Sequence, residues 1–293
     1  MDGPAGLDQV AAQVARVTDQ LAAAGVDNAR QEARWLVEEA ASRPVSLDAL
    51  VARRAAGEPV QYVLGHWSFR TLELAVDRRV LIPRPETEVV CGYALDEIDR
   101  VAGDLAGREE TVKVVDLGTG SGALALAVAT ERPATEVWAV ERSSAALDVA
   151  GANLATAGAA GRRVELSEGS WFEALPRRLR GQIHVIVSNP PYVGADEQLP
   201  ASVRDWEPVD ALVPQPGATG LEALEVILAS APRWLAPGGA VVIEIGAAQG
   251  PTATELATAA GFSDVAVRPD LAGRPRALVA RLEGEGPDRL DRA

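Results

Sequence analysis

The chain has 293 residues, of which 47% are hydrophobic and 24% charged; this is ordinary globular usage, which excludes fibrous and disordered classes and leaves room for one large domain with a smaller companion. Lys and Arg number 28 against 42 Asp and Glu, and the net charge of -14 repels a phosphate backbone unless basic groups are locally segregated, so nucleic acid is disfavoured as a direct partner. Cys91 has no second cysteine to pair with, and His66 and His184 are the only histidines, so a reducing compartment and a site without metal are expected.

The start, Met1-Asp2-Gly3-Pro4, has no basic and then apolar leader, and no run approaches the roughly 18 apolar residues of a membrane span. A cytoplasmic protein that makes no membrane contact is expected. Leu7, Val10, Val14, Val17 and Leu21 recur at helical spacing, and Ala29, Ala33, Leu36, Val37 and Ala40 repeat the pattern after Gly25-Val26-Asp27. A third helix starts with Ser46 as its N-cap and runs to Arg54, where Gly57 and Pro59 stop it. Residues 1–58 therefore read as a small helical domain. Residues 59–85 change to short β-branched and aromatic runs and read as a linker hairpin, with strands over 69–76 and 79–82. Residues 86–98 read as a helix with Val89, Val90, Tyr93, Ala94 and Glu97 on one face.

The rest of 86–293 alternates. Strands are expected over 112–117, 136–141, 163–167, 183–188 and 240–245, with helices over 123–130, 145–157 and 221–235. That alternation means an α/β fold whose parallel sheet is covered on both faces. A helix over 252–260 precedes two strands, 264–267 and 277–282, whose tight connection makes them antiparallel. A polar tail that frays follows Glu283.

Asp116-Leu117-Gly118-Thr119-Gly120-Ser121-Gly122 lies where a buried strand turns into a helix, the edge at which open α/β sheets bind ligands. Its glycines let the backbone approach a cofactor closely, and the helix N-terminus offers N–H groups and partial positive charge. Gly118, Gly120 and Ala123 also satisfy the dinucleotide pattern, so this loop alone does not choose between a dinucleotide and S-adenosylmethionine. Glu141 ends the next strand, where its carboxylate can accept both ribose hydroxyls of either cofactor; taken singly, it reads equally well as a solvated charge.

Asn189-Pro190-Pro191-Tyr192 follows the strand 183–188 and so lies at the same sheet edge. The Asn189 side-chain oxygen and the Pro190 carbonyl can accept both hydrogens of an NH₂ group and hold it in plane. The prolines stiffen the backbone, and Tyr192 offers an aromatic face to a flat amide or base. An amide nitrogen is a poor nucleophile, so its methylation depends on in-line placement against a sulfonium methyl and on acceptors for developing positive charge. No base or metal is required, and S-adenosylmethionine becomes the expected cofactor. A dinucleotide-dependent oxidoreductase would explain the loop and Glu141 but gives Asn189 to Tyr192 no task.

At these residues the chain resembles the release factor glutamine methyltransferases. The likeness rests on Leu81-Ile82-Pro83-Arg84-Pro85-Glu86-Thr87-Glu88, the loop 116–122, Val187-Ser188-Asn189-Pro190-Pro191-Tyr192-Val193, Glu244-Ile245-Gly246, and the helical region ahead of Gln61-Tyr62-Val63-Leu64-Gly65. The resemblance implies a Rossmann-like, seven-stranded class I methyltransferase sheet with its last strand antiparallel, preceded by a small helical domain that recognises the protein substrate. It implies that Gly118, Thr119, Gly120, Ser121, Gly122, Glu141, Trp171 and Asn189 contact S-adenosylmethionine. Asn189, Pro190, Pro191 and Tyr192 would grip the glutamine of a Gly-Gly-Gln loop in peptide-chain release factors, with Asn189, Pro190 and Tyr192 as the catalytic set. Read without the family, Trp171-Phe172 is a core pair and Arg84 and Glu86 are a surface ion pair. The family usually carries Asp in place of Glu141 and an acidic residue in place of Ser170, and His184 stands where it often has Asp; a lone strand histidine reads as structural. Asn-Pro-Pro-Tyr is shared with amino methyltransferases of adenine in DNA and guanine in RNA, the principal alternative.

Overall fold

Residues 4–107, 109–214 and 219–284 are described by the structure, a computed structural model. Apolar residues at helical spacing form α1 (Pro4–Ala23) and α2 (Ala29–Ser42), which share a core of Val17, Leu21, Ala33, Leu36 and Val37. Ser46 caps α3 (Leu47–Ala55) as expected, accepting from the Ala49 N–H at 3.4 Å. The half-buried Arg54 on α3 pairs with Glu32 on α2 and so ties the two helices together.

The linker differs from its sequence expectation. Val60 to Leu64 form one short helix, α4 (Val60–Leu64), because Pro59 opens it and Gly65, at φ 79°, closes it. Burial of Val60, Val63 and Leu64 against the helical core outweighs their branched-chain preference for strand. The hairpin is β1 (His66–Phe69) with β2 (Leu72–Ala75), Phe69 facing Leu72. Its turn falls within the expected strand 69–76, and residues 79–82 join no strand. Arg70 makes that turn possible at φ 52°: its N–H donates to Glu88 at 3.1 Å while its guanidinium binds Glu131 and the Glu88 carbonyl. Those partners hold a non-glycine residue in the left-handed region.

Pro85 at the first position starts α5 (Pro85–Asp104), which outruns the expected 86–98 because Ile98 and Val101 continue its buried face. The alternation then follows as read: β3 (Val112–Leu117), α6 (Ala123–Glu131), β4 (Thr135–Glu141), α7 (Ser144–Thr156), β5 (Val164–Glu168), β6 (Ile183–Ser188), a short α8 (Ala201–Arg204), α9 (Glu222–Ser230), β7 (Leu235–Glu244), α10 (Gly250–Ala259), β8 (Asp264–Pro269) and β9 (Pro275–Arg281). The helix expected over 221–235 stops at Ser230; Pro232 withholds an N–H and only a tight turn follows, so β7 starts earlier than 240.

These strands form a seven-stranded sheet in the order β5-β4-β3-β6-β7-β9-β8, with β9 antiparallel to both neighbours and the others parallel to one another. One face packs on α5 and α6 through Val90, Leu126 and Val128, the other on α9 and α10 through Leu224, Ile227 and Ala257. Both faces being covered, β3 and β6 are almost wholly buried, and their buried polar members, Asp116, His184 and Ser188, are each hydrogen-bonded. His184 is structural, as its setting suggested: its Nδ1 accepts the Lys113 N–H at 3.0 Å, and burial lowers its pKa. Among the described residues no helix is long and apolar enough to cross a membrane. The C-terminal tail lies outside the described residues, apart from Glu283 and Gly284.

Candidate active site

The order reverses between β3 and β4 on one side and β6 on the other, and the carboxyl ends of these strands open onto a cavity of about 980 Å³. Gly118, Gly120 and Gly122 carry φ of 75°, 56° and 83°. A Cβ on Gly120 would meet no protein atom within 4 Å, and one on Gly118 or Gly122 would meet side chains no nearer than 3.4 Å. Handedness of the backbone, and not crowding by the protein, is what requires glycine here. The loop is drawn onto β4 by the Gly118 and Thr119 N–H groups, which donate to the Val140 carbonyl at 2.8 and 3.0 Å.

Asp116 lies beneath the loop, 1% exposed. Its Oδ2 accepts from the Thr119 hydroxyl at 2.5 Å and the Ala125 N–H at 3.1 Å, whereas its Oδ1 finds no hydrogen-bond partner. Burial, with a smaller push from Glu141, raises its carboxyl to about 7. Glu141 stands at the end of β4 in the cavity wall, its two oxygens accepting from the Gly120 N–H at 3.0 Å and the Ser143 N–H at 2.9 Å.

Trp171 and Phe172 part company. Phe172 is buried and stacks on Trp234, centroids 5.7 Å apart, whereas Trp171 takes φ 47° and lines the cavity beside Gly118 and Ser170. Trp171 thus combines a left-handed backbone with a place in the cavity wall. Of the expected core pair, Phe172 is fully core, while Trp171 is partly buried against the same cluster and also lines the cavity.

Asn189 and Pro191 reach the cavity wall; Pro190 is buried behind them. The Asn189 Nδ2 donates to the Thr87 hydroxyl at 3.1 Å, and Thr87 donates to Glu244 Oε2 at 2.7 Å. Tyr192 sends its hydroxyl to Glu244 Oε1 at 3.2 Å. The loop is fastened from outside by Gln249, whose Nε2 donates to the Tyr192 and Gly220 carbonyls, each at 3.0 Å. Sequence alone assigns Thr87, Glu244 and Gln249 no role; Thr87 lies within Leu81 to Glu88 and Glu244 within Glu244 to Gly246, but their convergence on Asn189 is visible only in the fold.

Arg84 and Glu86, where the linker meets α5, do not pair with each other. Arg84 binds Glu207, which is also the acceptor for the Ile82 N–H at 3.1 Å, and Glu86 pairs with Arg274 at 2.9 Å. Glu207 thereby holds Leu81 and Pro83 over the cavity, together with Pro208 and Val209. Among the described residues no cluster of His, Cys, Asp and Glu is arranged to hold a metal ion.

A seven-stranded sheet of this order, a glycine loop after its first parallel strand and an Asn-Pro-Pro-Tyr edge define a class I, S-adenosylmethionine-dependent methyltransferase. A family model described as the methyltransferase small domain matches residues 94–204. The chain is 45% identical over 240 residues to the release factor glutamine methyltransferase of Burkholderia pseudomallei, covering 80% of each chain. It is 42% identical over 282 residues to that of Cereibacter sphaeroides, covering 90% of this chain and 95% of the other. The chain belongs to the release factor glutamine methyltransferase family. In fold it is similar to a methyltransferase from Pyrococcus furiosus, with a TM-score of 0.51 at 18% identity, covering 80% of this chain and 97% of that one.

Proposed function

We propose that this enzyme transfers a methyl group from S-adenosylmethionine to the side-chain amide nitrogen of the glutamine in the Gly-Gly-Gln motif of peptide-chain release factors, in the cytoplasm. The carrying observation is the polarity of Asn189. With its Nδ2 engaged by Thr87, its Oδ1 is left as an acceptor at the cavity wall, the role that a substrate NH₂ group requires.

The cavity suits the donor. Gly118 to Gly122 bring a helix N-terminus to bear on a carboxylate, Glu141 is pre-oriented by two backbone N–H groups to accept ribose hydroxyls, and Trp171 gives a flat wall for an adenine. S-adenosylmethionine, when bound, supplies an electrophilic methyl on sulfur. The protein's own share is alignment: Asn189 Oδ1 accepts one amide hydrogen at the cavity wall, the carbonyl of the buried Pro190 next to it is the candidate acceptor for the other, Pro191 and Tyr192 hold that edge rigid, and the nitrogen lone pair is aimed at the methyl. The N–CH₃ bond would form as the S–CH₃ bond breaks, the donor leaving as the neutral thioether S-adenosylhomocysteine; the acceptors would stabilise the positive charge gained by the nitrogen until its proton passes to water at the cavity mouth.

Residues 1–58 serve as the docking domain for the release factor and 86–293 as the catalytic domain, with 59–85 between them. This reading is supported by the family's name and by the separate core formed by α1 to α3, onto which α4 at the start of the linker packs. The test is transfer of labelled methyl from S-adenosylmethionine to a purified release factor, to the same factor with its loop glutamine changed to alanine, and to duplex DNA and ribosomal RNA. Label on the intact factor alone is expected; label on nucleic acid and none on protein would overturn the substrate.

A further inference from the structure

We infer that Thr87 and Glu244 form a relay that fixes which end of the Asn189 amide faces the substrate. The inference rests on the amide-methylation reading above. An asparagine amide has two ends of nearly equal size and opposite hydrogen-bonding sense, so shape alone does not choose between them; partners must. Here the choice propagates from Glu244. Its carboxylate, 1% exposed at the end of β7, accepts from the Thr87 hydroxyl at 2.7 Å. A hydroxyl has one proton, and once that proton is directed to Glu244 the Thr87 oxygen can only accept from its other neighbour. That neighbour is the Asn189 amide at 3.1 Å, and it must therefore present Nδ2 to Thr87 and Oδ1 to the cavity.

The far oxygen of Glu244 is held by the Tyr192 hydroxyl at 3.2 Å, so the carboxylate spans both ends of the Asn-Pro-Pro-Tyr loop. Thr87 enters from the first turn of α5 and Glu244 from the sheet; the relay thus joins three separate elements at the atom that meets the substrate. A relay of this kind acts on rate more than on binding. An inverted amide offers N–H to N–H, which weakens alignment of the reacting nitrogen, while the glycine loop and docking surface are untouched.

The experiment compares Thr87→Val, which keeps the shape and deletes the hydroxyl, with Thr87→Ser, which keeps the hydroxyl. Thr87→Val is expected to lower kcat by roughly 10- to 100-fold while the release-factor KM and the Kd for S-adenosylhomocysteine stay within about twofold, the ratio that marks lost alignment and not lost binding. Thr87→Ser recovers most of that rate. In parallel, the Asn189 side-chain N–H resonances of ¹⁵N-labelled protein, assigned by their absence from Asn189→Ala, are followed by hydrogen exchange. One protected N–H is expected in wild type and Thr87→Ser and none in Thr87→Val. Wild-type kcat in Thr87→Val, equal damage from Thr87→Ser, or protection that survives the loss of the hydroxyl would each overturn the relay. If wild type leaves the release factor unlabelled, the substrate reading falls, and the exchange data still decide the relay.

Discussion

Asp116 holds an ionisable group where solvent does not reach and no cation pairs with it, and one of its oxygens has no hydrogen-bond partner. Burial raises its carboxyl from 3.8 to about 7. Between those values the folded state binds more protons at this site than the unfolded state does, so stability from this group falls as pH rises and is lowest above the folded value. Asp116→Asn keeps an acceptor for Thr119 and Ala125 and removes the charge. The melting temperature of Asp116→Asn relative to wild type is therefore expected to climb between pH 5 and pH 8; a constant difference would mean that Asp116 stays ionised in the fold. Asn189 is half-buried at the cavity wall, where its Nδ2 donates to Thr87. Asn189→Ala deletes one acceptor for the substrate amide and leaves the glycine loop and Glu141 in place. Turnover should drop on the order of 100-fold, with cofactor affinity measured by calorimetry retained; equal loss of both would mean that Asn189 mainly holds the cofactor.

At the scale of elements, the Asn-Pro-Pro-Tyr edge depends on Gly220, which has φ 88° and no room for a side chain: a Cβ there would lie 2.4 Å from the Tyr192 carbonyl oxygen. Gly220→Ala must push the two backbones apart and break the bridge that Gln249 makes between their carbonyls. A stability loss above about 1 kcal/mol in urea unfolding is expected, together with a fall in kcat; unchanged kcat would mean the edge is fixed by other contacts. The sequence disclosed such features unevenly. β3 and β6 are valine- and isoleucine-rich runs ended by a glycine loop and by Asn-Pro-Pro, and their bounds match the reading residue for residue. The hairpin was displaced because its turn is made by Arg70, with no glycine or asparagine to announce it, and depends on Glu88 and Glu131 from later helices. The site divides in the same way. Its contiguous pieces, the glycine loop and Asn189 to Tyr192, were visible as strings, whereas the Thr87–Glu244 contact joins residues 157 positions apart and only the sheet order brings them together.

At the scale of the whole molecule, a net charge of -14 disfavours the approach of polyanions. Nucleic acid would need a local cationic track to offset that field. The two arginines in the cavity wall do not supply one: Arg79 is bound to Asp77 at 2.6 Å and Arg142 faces Asp210 at 3.6 Å. Each of these two arginines is answered by a carboxylate, and a phosphate would have to displace it. Duplex DNA is therefore expected to bind more weakly than the ~10⁻⁴ M that marks the weak end of ordinary non-specific binding at physiological salt, and to leave methylation of a release factor unaffected. Fluorescence anisotropy of a labelled duplex, titrated at low and at physiological salt, checks both statements. Affinity that rises steeply as salt falls would reveal counterion release from a basic surface, and would make a nucleic-acid amino group the substrate to test next at Asn189.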